Sequence, residues 1–208
     1  MKSTDLWHHI HTERANLIDT WIGFTSEQWK FPSLCAGWSV QDVAGHVVGG
    51  AEETPASFIR GLAEAGFKFN TFTDRVAKKN AATGPTELVR RLQARTMTTN
   101  HPPGPADAML AEIVVHGADI RRPLHVNYGY PEAALVNIAD RWKNSNVIIG
   151  AKRRIAGVKL KATDASWTHG DGPEVIGPMI AIVLAMAGRT DAHRDLSGEG
   201  LATLVSRG

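Results

Sequence analysis

Trp38-Ser39-Val40-Gln41-Asp42-Val43-Ala44-Gly45-His46-Val47-Val48 is the stretch from which the fold can be read. Ser39 stands before an apolar stripe with Asp42 three residues on. That is the pattern of a capping box, in which two side chains satisfy free N–H groups at the start of a helix. Val40, Val43, Ala44, Val47, Val48 and Ala51 then recur at helical spacing, so a helix is expected from Val40 to about Leu62. Working outward, Leu6, Ile10, Leu17, Trp21 and Ile22 predict a helix from Leu6 to about Phe24, followed by a loop from Pro32 to Trp38. Pro85 and Pro105 each suit a first helical turn. Helices carrying Leu88 and Leu92, and then Met109, Leu110, Ile113 and Val114, are expected after them, the latter stopping before Pro123. Pro131 opens a fifth helix through Trp142.

Beyond about Asn146 the texture changes. Gly157 to Thr163 alternates as a strand does, Ala165 to Thr168 follows a turn at Asp164, and Val175-Ile176 follows the turn Gly170-Asp171-Gly172-Pro173. Met179 to Gly188 reads as a buried helix. The expectation is a mainly α protein: a four-helix bundle over residues 1–145, then a small α+β domain over 146–208.

Composition narrows the function classes. The 208 residues are 43% hydrophobic and 21% charged, enough to build a core without cross-links. The net charge of +2 is too mild to call for a nucleic-acid or membrane partner. The longest apolar run, Met179 to Ala187, is shorter than a membrane span, and Met1 to Asp5 does not open a signal peptide. A single cysteine, Cys35, excludes an internal disulfide and fits a reducing compartment, so a cytoplasmic protein is expected.

Chemistry concentrates in Glu112-Ile113-Val114-Val115-His116. A carboxylate and an imidazole at i and i+4 point the same way, about 6 Å apart along a helix axis, so both can reach one ion. Both flank an apolar stripe, where a charged carboxylate is costly unless paired or coordinated. His46 has the same relation to its own helix. Two His and one Glu would leave a tetrahedral ion one open position, as catalytic sites do. Asp119, one turn beyond His116, is placed to accept the imidazole's other N–H. Spacing alone does not make an ion site, because such pairs on helices are common.

Two blocks add a resemblance. Trp38 to His46 resembles the Trp-x-Val-x-Asp-x-x-x-His block of the mycothiol-dependent maleylpyruvate isomerase-like family, within the DinB-like four-helix-bundle superfamily. Glu112 to Arg121 resembles its Glu-x-x-x-His-Gly-x-Asp-x-Arg block. Gly157-Val158-Lys159-Leu160, Trp167, Gly170-Asp171-Gly172-Pro173 and Ala187-Gly188-Arg189 resemble its C-terminal domain. The resemblance implies metal ligands at His46, Glu112 and His116, a divalent metal, zinc by habit, and mycothiol or a similar low-molecular-weight thiol as cofactor. It implies an isomerase or S-transferase acting on a small electrophilic substrate, with the metal-bound thiol, or a water, as the reacting group. Small molecules would then be its partners.

Other readings stay open beside it. The same site could serve a thiol-independent metal hydrolase or lyase, or a non-catalytic metal- or ligand-binding protein, with His8 or His11 closing the fourth position. His8, His9, His11, His101, His125, His169 and His193 otherwise read as ordinary packed or solvated side chains. Cys35 has no adjacent His or Lys and reads as packed or incidental. Trp38 reads as a pocket wall or a staple at the helix start. Arg121 and Arg189 are candidates for holding an anionic substrate group; Arg122 and Lys152-Arg153-Arg154 read as solvated faces.

Overall fold

The structure, a computed structural model, describes residues 1–147 and 149–207. The chain divides into two compact units, Met1–Tyr128 and Gly129–Gly208. The first unit holds α1 (Ser3–Ile22), α2 (Ser26–Lys30), α3 (Val40–Glu52), α4 (Pro55–Glu64), α5 (Phe69–Ala81), α6 (Pro85–Arg95) and α7 (Asp107–Arg121).

Helices α1 and α3 each pack on both α6 and α7, which makes the expected four-helix bundle. Its core is the set of apolar stripes read from the sequence: Ile10, Leu17 and Trp21 from α1, Val43 and Val47 from α3, Leu88 and Leu92 from α6, Leu110 and Val114 from α7 are all buried. The helix expected from Val40 to Leu62 is two helices. It breaks at Glu53-Thr54, where Thr54 caps α4 and Pro55 occupies its first turn. A residue before proline is driven out of the helical region, and Thr54 takes an extended conformation there.

Helix α5 has no counterpart among the elements expected from the sequence. It lies along α3, and its buried residues are Phe72, Ala77 and Ala81, too few and too small to make a stripe. Close approach is what seats it. A Cβ on Gly45 would strike the Ala77 carbonyl oxygen and come within 2.7 Å of the Ala81 nitrogen, and one on Gly49 would come within 2.5 Å of Val76. Asn80 donates to the Gly45 carbonyl (3.0 Å) and Gln41 to that of Ala81 (2.7 Å), so contact at the backbone replaces side-chain packing.

The second unit contains α8 (Glu132–Trp142), α9 (Ala151–Arg154), β1 (Lys159–Ala162), β2 (Thr168–His169), β3 (Glu174–Gly177), α10 (Met179–Met186) and α11 (Leu201–Val205). A 3₁₀ turn, Thr190–Asp195, sits between the last two helices. The sheet order is β2-β1-β3, with β1 antiparallel to β2 and parallel to β3. Helix α10 is buried on every side, which explains its unbroken apolar sequence, and it packs on α8 and β1. That packing, with the indole N–H of Trp167 donating to Asp140 (3.1 Å), draws α8 into the second unit. The division therefore falls after Tyr128 and not at the expected 145/146. Among the described residues, no helix is long and apolar enough to cross a membrane.

The Gly45 contact is directly testable. Gly45→Ala is expected to lower the unfolding free energy by about 1–3 kcal/mol, the usual cost of forcing a methyl into a filled interface, although alanine is the better helix former. A urea midpoint equal to or above wild type would show that α3 and α5 can separate freely.

Candidate metal centre

The capping box read from the sequence forms. Ser39 Oγ accepts from the Asp42 N–H, while the Asp42 carboxylate accepts from the Ser39 N–H (2.9 Å) and hydroxyl (2.7 Å). With the start of α3 fixed, His46 follows one turn past Asp42. Trp38 lies against it, ring centroids 5.3 Å apart, and is itself held by its indole N–H donating to Asp74 of α5 (3.0 Å).

Helix α7 brings the other two groups. Glu112 places its carboxylate against α3 at Gly50: a Cβ there would overlap Oε1 and lie 3.2 Å from Cδ. Glu112 Oε1 is 4.0 Å from His46 Nε2, and the His116 ring centroid is 4.8 Å from that of His46, nearly perpendicular. The three side chains predicted from two distant segments thus converge, each part-exposed at 15–23% and so within reach of solvent and solutes. Asp119 stands where expected: His116 Nδ1 donates to its Oδ2 at 2.9 Å, which leaves Nε2 as the ring nitrogen available to another partner.

Electrostatics follow from burial and neighbours. Burial pushes the Glu112 carboxyl above the usual range, against the opposing pull of His116 and Arg14 and with a further push from Glu53. Burial by itself would lower the His116 imidazolium, but hydrogen bonds to Asp119 and Cys35, and their charge, outweigh it and hold the group at about 10. Among the described residues, the His/Cys/Asp/Glu group whose ligand atoms all lie within 4.8 Å of one another is Cys35, His116 and Asp119, and His46, Glu112 and His116 are more widely spaced than that. Donors on a tetrahedral ion with bonds of about 2.0–2.1 Å stand about 3.3 Å apart, so the 4.0 Å between His46 and Glu112 closes with a small side-chain movement.

Two participants lie outside the sequence expectations. Cys35, read as incidental because no His or Lys adjoins it in sequence, donates its S–H to Asp119 Oδ2 (3.0 Å) and lies 3.7 Å from His116 Nδ1. The contact spans 84 positions, so no local pattern could report it. Gly50 is the other, although a Gly49-Gly50 pair inside a helix is itself a sign that something approaches closely.

The remaining candidates have partners of their own. Arg121 is 1% exposed; its guanidinium is 3.8 Å from the Glu13 carboxylate, reaches Thr20 (3.3 Å) and lies over the Tyr128 ring at 3.7 Å. There it serves the packing of α1 and the chain after α7. Arg189 belongs to the second unit and donates to the Ala187 carbonyl (3.0 Å). His11 Nε2 is 3.3 Å from the Thr98 carbonyl oxygen, and His101 Nδ1 is 2.7 Å from that of Pro102.

Residues 10–101 match the family model described as mycothiol maleylpyruvate isomerase N-terminal domain. The match includes Trp38 to His46 and ends before Glu112. Two solved structures are similar in fold: a crystal structure of the mycothiol-dependent maleylpyruvate isomerase, with TM-score 0.67, 13% identity, and 96% of this chain and 93% of that one covered, and a histidine-to-alanine mutant of that enzyme, with TM-score 0.66 and the same identity and coverage. No curated protein matches the chain.

The Asp119–His116 bond predicts a pH signature in chelator-treated protein. A histidine raised to about 10 when folded contributes stability that is complete below its unfolded value of 6.5 and is lost as pH rises through about 10. In Asp119→Asn the lowering by burial is opposed far less. The His116 imidazole signal, followed by NMR, should then titrate several units lower, and stability should no longer fall off selectively above pH 6.5. A His116 that still titrates near 10 in the variant would remove Asp119 from this role.

Proposed function

We propose that the chain is a metal- and thiol-dependent enzyme of the mycothiol type, an isomerase or S-transferase acting on a small electrophilic substrate. The observation that carries this reading is the meeting of His46, Glu112 and His116 from α3 and α7, with Glu112 seated against Gly50 and His116 oriented by Asp119. The family model over residues 10–101 supports the choice of a thiol over a water as the reacting partner.

His46, Glu112 and His116 would hold the ion, and two imidazoles with one carboxylate favour zinc among divalent metals, with an open position left over. A bound divalent cation supplies positive charge that lowers the pKa of a coordinated thiol, so that thiolate is present at neutral pH. The chain's own residues do the rest. Asp119 keeps a proton on His116 Nδ1 and so presents Nε2 as the donor atom. Gly50 leaves the space in which the Glu112 carboxylate can reach toward His46. Trp38 covers one side of His46, and Asp74 holds its indole in place. Together they define a partly enclosed polar site in which a small thiol and an electrophile can meet in a fixed orientation.

Elemental analysis of the purified protein, followed by calorimetric titration with mycothiol, tests the reading. About one equivalent of zinc is expected in wild type and none in His116→Ala, with mycothiol binding confined to the metallated protein. Gly50→Ala should keep its far-UV circular dichroism yet bind zinc at least tenfold more weakly, in line with the cost of disturbing a ligand's setting. Metal without thiol affinity would favour a hydrolase, lyase or binding protein. No metal after reconstitution would overturn the centre.

A further inference from the structure

Cys35, His116 and Asp119 present three different donor atoms, all within 4.8 Å of one another. We infer that they form a second cation site, selective for soft, thiophilic ions, that shares His116 with the first centre through the opposite ring nitrogen.

The geometry is close to what such an ion needs. With bonds of about 2.3 Å to sulfur and 2.0–2.1 Å to nitrogen and oxygen, tetrahedral angles put sulfur about 3.6 Å from the other two donors, and those two about 3.3 Å apart. The structure has Sγ to Nδ1 at 3.7 Å, Sγ to Oδ2 at 3.0 Å and Nδ1 to Oδ2 at 2.9 Å. The triad is a slightly contracted face of a tetrahedron, drawn in by two hydrogen bonds. As a cation enters, the S–H of Cys35 and the Nδ1–H of His116 leave as two protons, and Asp119 exchanges two donors for one ion. A thiolate in the set favours zinc or cadmium over magnesium or calcium.

The site is also built. The Cys35 N–H donates to Ser33 Oγ (3.1 Å), the Ser33 N–H to the Trp38 carbonyl (3.0 Å), and the Leu34 N–H to the Asp119 carbonyl (3.1 Å). These bonds pin the Cys35 loop to the last turn of α7. Asp119 is fully buried, whereas Cys35 and His116 are part-exposed, so an ion can arrive from the cysteine side.

Sharing has a consequence, which rests on the metal reading of His46, Glu112 and His116. With Nδ1 bound to the thiophilic ion through its lone pair, the neutral ring carries its one hydrogen on Nε2, taken up from water as the first metal leaves, and Nε2 turns from metal ligand to hydrogen-bond donor. Soft cations should therefore displace the first metal and not merely add to it.

The experiment is a cadmium titration of the full chain after chelation, reading the ultraviolet thiolate-to-cadmium charge-transfer band. Wild type and His46→Ala are expected to develop the band, saturating near one equivalent; Cys35→Ser and Cys35→Ala should lack it. His116→Ala and Asp119→Asn should each need at least tenfold more cadmium. Iodoacetamide alkylation of Cys35 in the wild type, which needs no variant to fold, should slow at least tenfold once cadmium is bound. No band in wild type, or an unchanged midpoint in both His116→Ala and Asp119→Asn, would overturn the site. The first centre is judged separately, in a Cys35→Ser background that removes the thiophilic site: zinc content there that survives the addition of His46→Ala sinks that reading and the expected displacement, and leaves the cadmium result standing.

Discussion

Asp119 is buried at the last turn of α7, where an ionised carboxylate is tolerable only if it is hydrogen-bonded and charge-compensated. Its Oδ2 accepts from His116 and from Cys35, and its backbone carbonyl accepts from Leu34. One residue thereby fixes the imidazole's orientation, the position of the thiol, and the path of the loop that leads into α3. The capping box at Ser39 and the placing of Trp38 over His46 lie immediately downstream of that loop. Asp119 is thus the point at which α7 and the α2–α3 connection are held in a common register.

The second constraint is steric. Helix α3 carries Gly45, Gly49 and Gly50 on faces that meet different neighbours: the first two receive α5, and the third receives the Glu112 carboxylate. Glycine inside a helix costs up to about 1 kcal/mol relative to alanine, so three of them in thirteen residues are a substantial sacrifice of local stability. What they allow is backbone contact, which lets α5 sit on α3 with almost no large side chains between them. At Gly50 the same device brings the Glu112 carboxylate of α7 up to His46 of α3. Stability given up along α3 is recovered in packing and in the site.

His116 would be shared by the two proposed cation sites because an imidazole has two nitrogens on opposite edges. Nδ1 is in hydrogen-bond contact with Asp119 and near Cys35, which leaves Nε2 for another partner. Two cations, one on each edge, could not both take the neutral ring as a ligand, so under the proposed assignments occupancy of one site would bear on the other.

Sequence alone was enough for the helices with apolar stripes, for the capping box at Ser39, for the short strands and for the pairing of Glu112 with His116, because each depends on spacing along a single element. The family resemblance added His46 to that pair, and the Asp119–His116 bond followed from helical periodicity. Tertiary structure alone decided the rest. Cys35 meets His116 across 81 positions, Gly50 meets Glu112 from another helix, and Arg121 turns toward Glu13 and Tyr128. Helix α5 escaped notice because its buried face is mostly alanine, and α8 joined the second unit because α10 and Trp167 hold it there. Periodicity reports which face of an element is apolar; which other element covers that face is set by close approach and hydrogen bonding between residues far apart in the chain.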